Sequence, residues 1–330
     1  MMVMDCTLRD GANVVGKGFD ARLTKMMIEG MISAGITTIE MGNCLGLGAY
    51  KADKSIAPCT DVEYLELIQP YLPKAEIGMF MGYKNATQAN MDLAVKYGLK
   101  FLRIGANASD GAGACDGVRR VKAAGLKCRY SMMKAYVLFP EQLAEEAKML
   151  ADCGLDEITI MDSAGTMMPH QVTEYTKALT KAVDIPVAFH GHNNLGLSVA
   201  NAIAAAEAGA TVFDTGPLGM ARSAGNCATE LLVATFQRLG WLKEIDLYGL
   251  LDFLDKNLIP AMEEHNYHVA VKPYDLILGL SGCHSSFTKR FQDIAKEYNV
   301  PLYPLVVETS KLDQKAPSEE LIRQVAAKLK

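Results

Sequence analysis

Over roughly its first 240 residues the chain repeats one unit, a short apolar β-prone run followed by a longer amphipathic one. That alternation is the sequence form of β-α units wound around a parallel sheet. The strand candidates are residues 3–8, 37–41, 76–81, 101–104, 127–132, 157–161, 187–190 and 211–213. Between them, residues 22–34, 86–97, 140–153, 171–183 and 197–208 carry apolar side chains at helical spacing, and Gly35, Gly98 and Gly209 stop three of these runs. Eight units averaging about 30 residues fit a (β/α)8 TIM barrel, whose usual size is ~250 residues. An open doubly wound sheet fits less well: no GxGxxG follows the first strand, and polar clusters follow many strands instead of one switch point. After Gly240 the rhythm changes to helical patterns at 247–265, 285–298 and 319–329, with a short loop through Lys272 and Pro273. The chain therefore divides into a barrel at residues 1–240 and a C-terminal helical appendage at 241–330.

The polar clusters sit at strand ends: Arg9-Asp10-Gly11, Gly42-Asn43-Cys44, Asp162-Ser163 and His190-Gly191-His192. In a barrel those carboxyl ends meet on one face, where enzymes of this architecture keep their active sites. If the strand through Phe189 continues, His190 and His192 point the same way, and two converging neutral imidazoles supply half of a metal site. Two neutral ligands leave a divalent cation under-neutralised, so a carboxylate is the natural third. Asp10 and Asp162 are both placed to provide it, whereas Asp5, earlier in its strand, suits a structural role.

Composition narrows the function. Half the residues are hydrophobic, enough for a large core, and the formal net charge of -5 gives no electrostatic reason to bind nucleic acid or an anionic membrane. No apolar run approaches the roughly 18 residues of a membrane span. The eight cysteines form no CxxC pair, and the N-terminus lacks a signal-peptide pattern. These features point to a cytoplasmic enzyme with reduced thiols, acting on small molecules.

Several motifs, taken in order, resemble the DRE-type TIM-barrel metallolyases, and most closely the 4-hydroxy-2-oxovalerate aldolases. They are Asp5-Cys-Thr-Leu-Arg9-Asp10-Gly11, Ile39-Glu40-Met-Gly42, Asp162-Ser163, His190-Gly-His192-Asn-Asn-Leu-Gly196, Ala224-Gly-Asn226-Cys-Ala-Thr-Glu230 and, in the appendage, Gly279-Leu-Ser-Gly282-Cys-His284-Ser-Ser-Phe287. The resemblance spans nearly the whole chain. It implies a divalent metal, preferably Mn2+ with Mg2+, Co2+ and Zn2+ as alternatives, held by Asp10, His190 and His192. Asn226 matches the position from which related lyases add a fourth ligand. It further implies a 2-oxo acid substrate beside Arg9, with Asn13, Ser163 and Glu40 lining its site, and cleavage to pyruvate and an aldehyde.

Two positions depart from that pattern. Asn13 stands where the aldolases carry a histidine base, and His284 replaces their tyrosine, which makes His284 the candidate base here. The departures keep open an acyl-CoA-dependent lyase or Claisen synthase of the same superfamily, and a non-catalytic metal-binding homologue. Plainer readings stand beside the functional ones: Ser163 as a helix-capping hydroxyl, Asn226 as a turn former, Glu40 as a structural hydrogen-bond partner, and His284 as a packing residue. Through its appendage the chain is expected to form a homo-oligomer, and the aldolases' association with an aldehyde dehydrogenase suggests a partner.

Overall fold

The computed structural model describes residues 1–51, 56–267 and 273–330, so Lys272 of the expected loop lies outside the described residues. Eight parallel strands close into one barrel in sequence order: β1 Met2–Asp5, β2 Thr38–Met41, β3 Glu76–Gly82, β4 Phe101–Asn107, β5 Lys127–Met133, β6 Glu157–Asp162, β7 Val187–Gly191 and β8 Val212–Thr215. The barrel closes where β1 pairs with β8, setting Met4 opposite Asp214. Around it run α1 Ala21–Ser33, α2 Asp61–Leu67, α3 Gln88–Lys96, α4 Cys115–Ala123, α5 Pro140–Asp152, α6 Pro169–Ala182, α7 Ser198–Glu207 and α8 Thr229–Arg238. The expected (β/α)8 TIM barrel is therefore present, with β1 ending three residues early. Past Asp5 the chain turns, and the Cys6 carbonyl accepts from the Arg9 and Asp10 N–H groups at 3.2 and 2.8 Å.

Helix α1 starts cleanly because the Asp20 side chain accepts from the Leu23 N–H, capping an otherwise unpaired donor. Its outer face receives α9 Leu247–Phe253, which continues through a π-helical turn, Leu254–Leu258, into α10 Ile259–Glu263. Gly30 of α1 makes that contact close, since a Cβ there would lie 2.5 Å from the Phe253 ring. Leu250, Leu254, Leu258 and Met262 accordingly share the barrel's outer core, while a separate core of Leu278, Phe291, Ile294, Leu305, Ile322 and Val325 lies further along. The helices around that second core are α11 Pro273–Ser281, α12 Thr288–Tyr298, α13 Leu302–Ser310 and α14 Glu319–Lys328. No helix among the described residues is long and apolar enough to cross a membrane.

The lumen departs from the usual filling of branched aliphatic side chains. Met4, Cys6, Phe101, Ala188 and Val212 form a small apolar cluster, and fully buried Arg103 and Arg129 share the interior with it. Arg129 pairs with Glu157 at 2.5 Å and Glu76 at 3.2 Å. Arg103 pairs with Glu40 and Asp214 and lies within 3.3 Å of the Cys6 sulfur. A buried guanidinium is tolerated only when opposite charge and hydrogen bonds compensate it; Arg103 meets that condition at every nitrogen, whereas Arg129 is paired through its two terminal nitrogens and its Nε is left without a partner.

The C-terminal helices dock on the barrel's mouth. Lys315 Nζ bonds Asp110 at 3.0 Å and also Ser109, in the loop after β4, while its carbonyl accepts from Lys134 Nζ at 2.6 Å. Gly279 of α11 permits the closest approach, since a Cβ there would lie 2.5 Å from Asn194 Cβ. The appendage is thereby fixed over the carboxyl ends of the strands.

Candidate metal centre

Asp10 stands on the turn that ends β1, His190 near the end of β7 and His192 just beyond it. The position of His192 depends on two neighbouring loops. Its N–H donates to the Asp162 carbonyl at 3.2 Å, and it bridges to Asn226 of the loop after β8. Asp10 Oδ2 then lies 3.5 Å from His190 Nε2 and 3.8 Å from His192 Nε2, while Asn226 Nδ2 donates to the same oxygen at 2.9 Å. One ligand atom from each of Asp10, His190 and His192 lies within 4.8 Å of the others, and all three residues are buried.

The electrostatics favour a cation. Burial would push the Asp10 carboxyl upward, but Arg9, His192 and His190 outweigh it and hold the group ionised, well below the ordinary carboxylate range. Burial lowers His192 to about 4, so its imidazole is neutral at pH 7, the form that ligates metal. His190 Nδ1 lies 3.0 Å from Asp214 Oδ2, an arrangement that assigns the proton to Nδ1 and turns the Nε2 lone pair toward Asp10. His190 Nε2 and Asn226 Oδ1 are buried without a hydrogen-bond partner. Buried acceptors left unpaired beside an ionised carboxylate are what a divalent cation would satisfy, so the donor set fits the implied metal.

A second cluster, Cys6, His190 and Asp214, also has ligand spacing. There the Arg103 guanidinium already bonds both Asp214 and Cys6, so positive charge is in place and a metal does not fit.

Arg9 is held by three neighbours. Its Nε donates to Glu40 Oε1 at 2.6 Å, its Nη1 lies 3.2 Å from Asp10 Oδ1, and its guanidinium carbon sits 4.9 Å from the Phe80 ring centroid. Nη2 is buried and has no partner, a donor left beside the cation site. Glu40 is fully buried, and both its oxygens are taken by Arg9 and Arg103 at 2.6–2.9 Å. It matches the plainer reading of a hydrogen-bond partner that orients Arg9; no oxygen is left to face a substrate.

The other expected residues divide in the same way. Asn13 Nδ2 donates to the Asp10 carbonyl at 2.8 Å and approaches Asp10 Oδ1 at 3.4 Å, which places it at the site. Ser163 Oγ accepts from the Lys134 N–H at 2.9 Å and so fixes the loop after β5. Of the two choices for the carboxylate ligand, Asp10 and not Asp162 joins the cluster with the histidines; the Asp162 oxygens accept from the Thr166 and Met167 N–H groups at 3.0 and 2.9 Å. Asp5 is structural, bonded to the Thr7 hydroxyl at 2.8 Å.

His284 comes to the mouth from the appendage. Its Nδ1 lies 2.8 Å from Ser286 Oγ and 3.2 Å from the Ser286 nitrogen. Burial, reinforced by His192, Lys134 and Arg222, lowers the imidazole to about 3. A free-protein base with an acidic limb at pH 6–7 does not fit that environment.

Arg103, Asp214 and Lys134 escape the sequence reading. The first two were legible only as polar residues inside or beside apolar strands. Lys134, in left-handed backbone after β5, carries no motif.

This geometry defines a (β/α)8 barrel with a histidine-histidine-aspartate cluster at metal-ligand spacing at its carboxyl mouth. Residues 1–256 match the HMGL-like family model and residues 269–330 that of a DmpG-like communication domain. The chain belongs to the HMGL-like family. It is 34% identical over 327 residues to 4-hydroxy-2-oxovalerate aldolase 2 of Rhodococcus opacus, covering 99% of this chain and 93% of the relative. The 4-hydroxy-2-oxovalerate aldolase of Carboxydothermus hydrogenoformans is 32% identical over 327 residues, covering 99% and 96%. Among solved structures, the HMG-CoA lyase of Bacillus subtilis superposes with a TM-score of 0.67 at 19% identity, over 81% of this chain and 94% of that one, a likeness of fold.

Proposed function

We propose that this HMGL-like barrel is a divalent-metal-dependent aldolase that cleaves a 4-hydroxy-2-oxo acid, such as 4-hydroxy-2-oxovalerate, to pyruvate and an aldehyde, or joins them in reverse. The observation that carries the reading is the convergence of Asp10, His190 and His192 beside the unpartnered Nη2 of Arg9. Those three residues, with Asn226, would hold the metal; Mn2+ suits a set mixing carboxylate, amide and imidazole with substrate oxygens. When bound, it supplies Lewis-acid neutralisation of negative charge on a 2-oxo acid.

The chain's own residues account for the rest. Arg9 Nη2 donates to the keto oxygen as charge builds there, and Glu40 keeps the guanidinium aimed without reorganisation during the reaction. The C3–C4 electrons pass into the pyruvate enolate as the C4 hydroxyl proton leaves. His284 accepts that proton in the substrate complex, where an anionic acid in the mouth raises its basicity from the value of the free protein. Asn13 and Ser163 border the substrate, the first beside Asp10 and the second through the Lys134 loop. The C-terminal unit carries a homo-oligomer interface and a docking surface for an aldehyde dehydrogenase, a reading supported by its match to a communication domain. The cytoplasm is the proposed compartment, consistent with eight cysteines that are free in the structure.

The test is a substrate panel. Protein loaded with Mn2+, Mg2+, Co2+ or Zn2+ is given a series of 4-hydroxy-2-oxo acids, with pyruvate followed by a coupled assay and acyl-CoA thioesters run alongside. Metal-dependent pyruvate release supports the proposal. Thioester cleavage without pyruvate would move the protein to the acyl-CoA lyases, and metal binding with neither turnover would make it a sensor.

A further inference from the structure

We propose that Cys115 and Cys153 form a reversible disulfide, a redox modification site on the barrel's outer helical layer and away from the metal centre. Cys115 opens α4, and Cys153 is the residue that closes α5. Their sulfurs lie 2.7 Å apart. That is inside the non-bonded contact of two sulfur atoms and about 0.7 Å from the covalent length of ~2.05 Å, so the pair must either bond or separate.

The juxtaposition is held from both sides. On one side, the Glu146 carboxylate of α5 accepts from the Ser109 and Gly111 N–H groups, each at 2.7 Å, in the loop that leads into α4. On the other, Lys122 of α4 bonds both oxygens of Asp156, just after α5, at 2.8 and 2.7 Å. The two helices are thus pinned above and below the sulfurs, and a small adjustment of side chains closes the bond.

Accessibility separates this pair from most of the other cysteines. Cys6, Cys44, Cys128, Cys227 and Cys283 are buried, whereas Cys115 and Cys153 are half-buried and open to a small reagent. Burial, together with the Cys153 hydrogen bond, pushes the Cys115 thiol up to about 11, so Cys115 rests as a thiol; joining two cysteines removes two electrons, so closure requires an oxidant.

A low-molecular-weight disulfide such as oxidised glutathione is that reagent. One protein thiolate attacks it, releasing one glutathione as a thiol and leaving a mixed disulfide; the second protein sulfur displaces the other glutathione. Two electrons pass from the cysteines to the reagent, and the two thiol protons end on two glutathione molecules. The bond would brace the loop at Ser109 and Asp110, which Lys315 grips, and so couple thiol redox state to the docking of the C-terminal helices.

The full chain, equilibrated with oxidised glutathione and then denatured under acid quench, is titrated for free thiols and mapped by non-reducing peptide mass spectrometry. The expected result is a fall from eight thiols to six, a cross-linked peptide pair containing Cys115 and Cys153, and recovery of eight with dithiothreitol. The oxidised protein should melt about 5 °C higher, since the bond closes a loop of nearly 40 residues. C115S and C153S should each hold one glutathione as a mixed disulfide and lose the melting shift. Retention of eight thiols would overturn the proposal, as would a cross-link mapping to other cysteines or a loss of two thiols that persists in the C115S/C153S double variant.

Discussion

Asp214 offers a direct test of how the barrel's interior supports the metal centre. Its Oδ2 faces both Arg103 Nη1 and His190 Nδ1, while Oδ1 is unpartnered. Burial alone would raise this carboxyl, but Arg103 and His190 overcome that and hold it at about 2 against an ordinary 3.8. At ~1.4 kcal/mol per pH unit, that gap corresponds to roughly 2 to 3 kcal/mol of stability, and the fully buried side chain is little screened by solvent. The folded value lies below the unfolded one, so the contribution is fully present above about pH 4 and is lost as pH falls toward 2. Asp214→Asn keeps the shape and an acceptor oxygen while removing the charge. It should cost about 2–3 kcal/mol at pH 7 by chemical denaturation and flatten the acid dependence between pH 4 and 2. Asp214→Ala, which leaves Arg103 short of one buried partner, should cost ~3–5 kcal/mol. Because Asp214 also fixes the His190 ring, calorimetric Mn2+ affinity should fall about 10–100-fold in either variant. A stability at pH 7 within about 0.5 kcal/mol of wild type together with unchanged Mn2+ affinity would refute the argument.

Other perturbations probe the mouth. His190→Ala and His192→Ala should each abolish Mn2+ binding in a direct titration while leaving the circular dichroism spectrum native, because the ligands sit at the barrel's mouth and outside its apolar cores. His284→Gln should remove most of the turnover. In the wild type the acidic limb of kcat/KM should lie well below pH 6, following an imidazole held at about 3, while the limb of kcat lies higher in the substrate complex; coincident limbs near pH 6.5 would argue against His284. Gly279→Val forces α11 off Asn194, and at ~1–3 kcal/mol of overpacking it should loosen the appendage and lower kcat without altering Mn2+ affinity. Deleting residues 285–330 should convert an oligomer to monomers in sedimentation, and an unchanged species would count against an interface there.

The architecture was legible because barrel strands and helices advertise themselves by periodicity. Boundaries slipped where hydrogen bonding overrides hydrophobic pattern. The run 3–8 reads as one strand, yet the Cys6 carbonyl captures the Arg9 and Asp10 amides and bends the chain, and that turn places Asp10 beside the histidines. Residues 247–265 read as one helix and are interrupted by a π turn at Leu254–Leu258 before Pro260, which lacks the N–H an uninterrupted helix would use. Helices such as Asp61–Leu67 and Leu302–Ser310 went unread, the first because seven residues give little periodicity and the second because Pro301 and Pro304 look like loop residues. Asp10, His190 and His192 were readable as strand-end residues with metal-binding chemistry. Their support was not, since nothing local to Arg103 reveals partners 63 residues earlier and 111 residues later.

That support ties His190, a candidate metal ligand, and Arg9 into one buried hydrogen-bonded network. Arg103 spans the lumen, reaching Glu40 on β2 and Asp214 on β8, and each acid continues to a functional side chain: Glu40 to Arg9, Asp214 to His190. An aliphatic lumen would pack more cheaply, because burying three charges costs more than their mutual attraction readily returns. The charges instead fix the tautomer of a ligand and the direction of a donor, both of which must be set before substrate arrives if electrostatic stabilisation is to cost no reorganisation. The two positions where the sequence reading expected a different base lie outside this framework: Asn13 is on the turn after Asp10, and His284 comes from the docked appendage. On the proposed reading, moving the proton-accepting residue from the first place to the second would leave the Arg103 network untouched, so the base could differ while Arg9 and His190 keep the support that Glu40 and Asp214 give them.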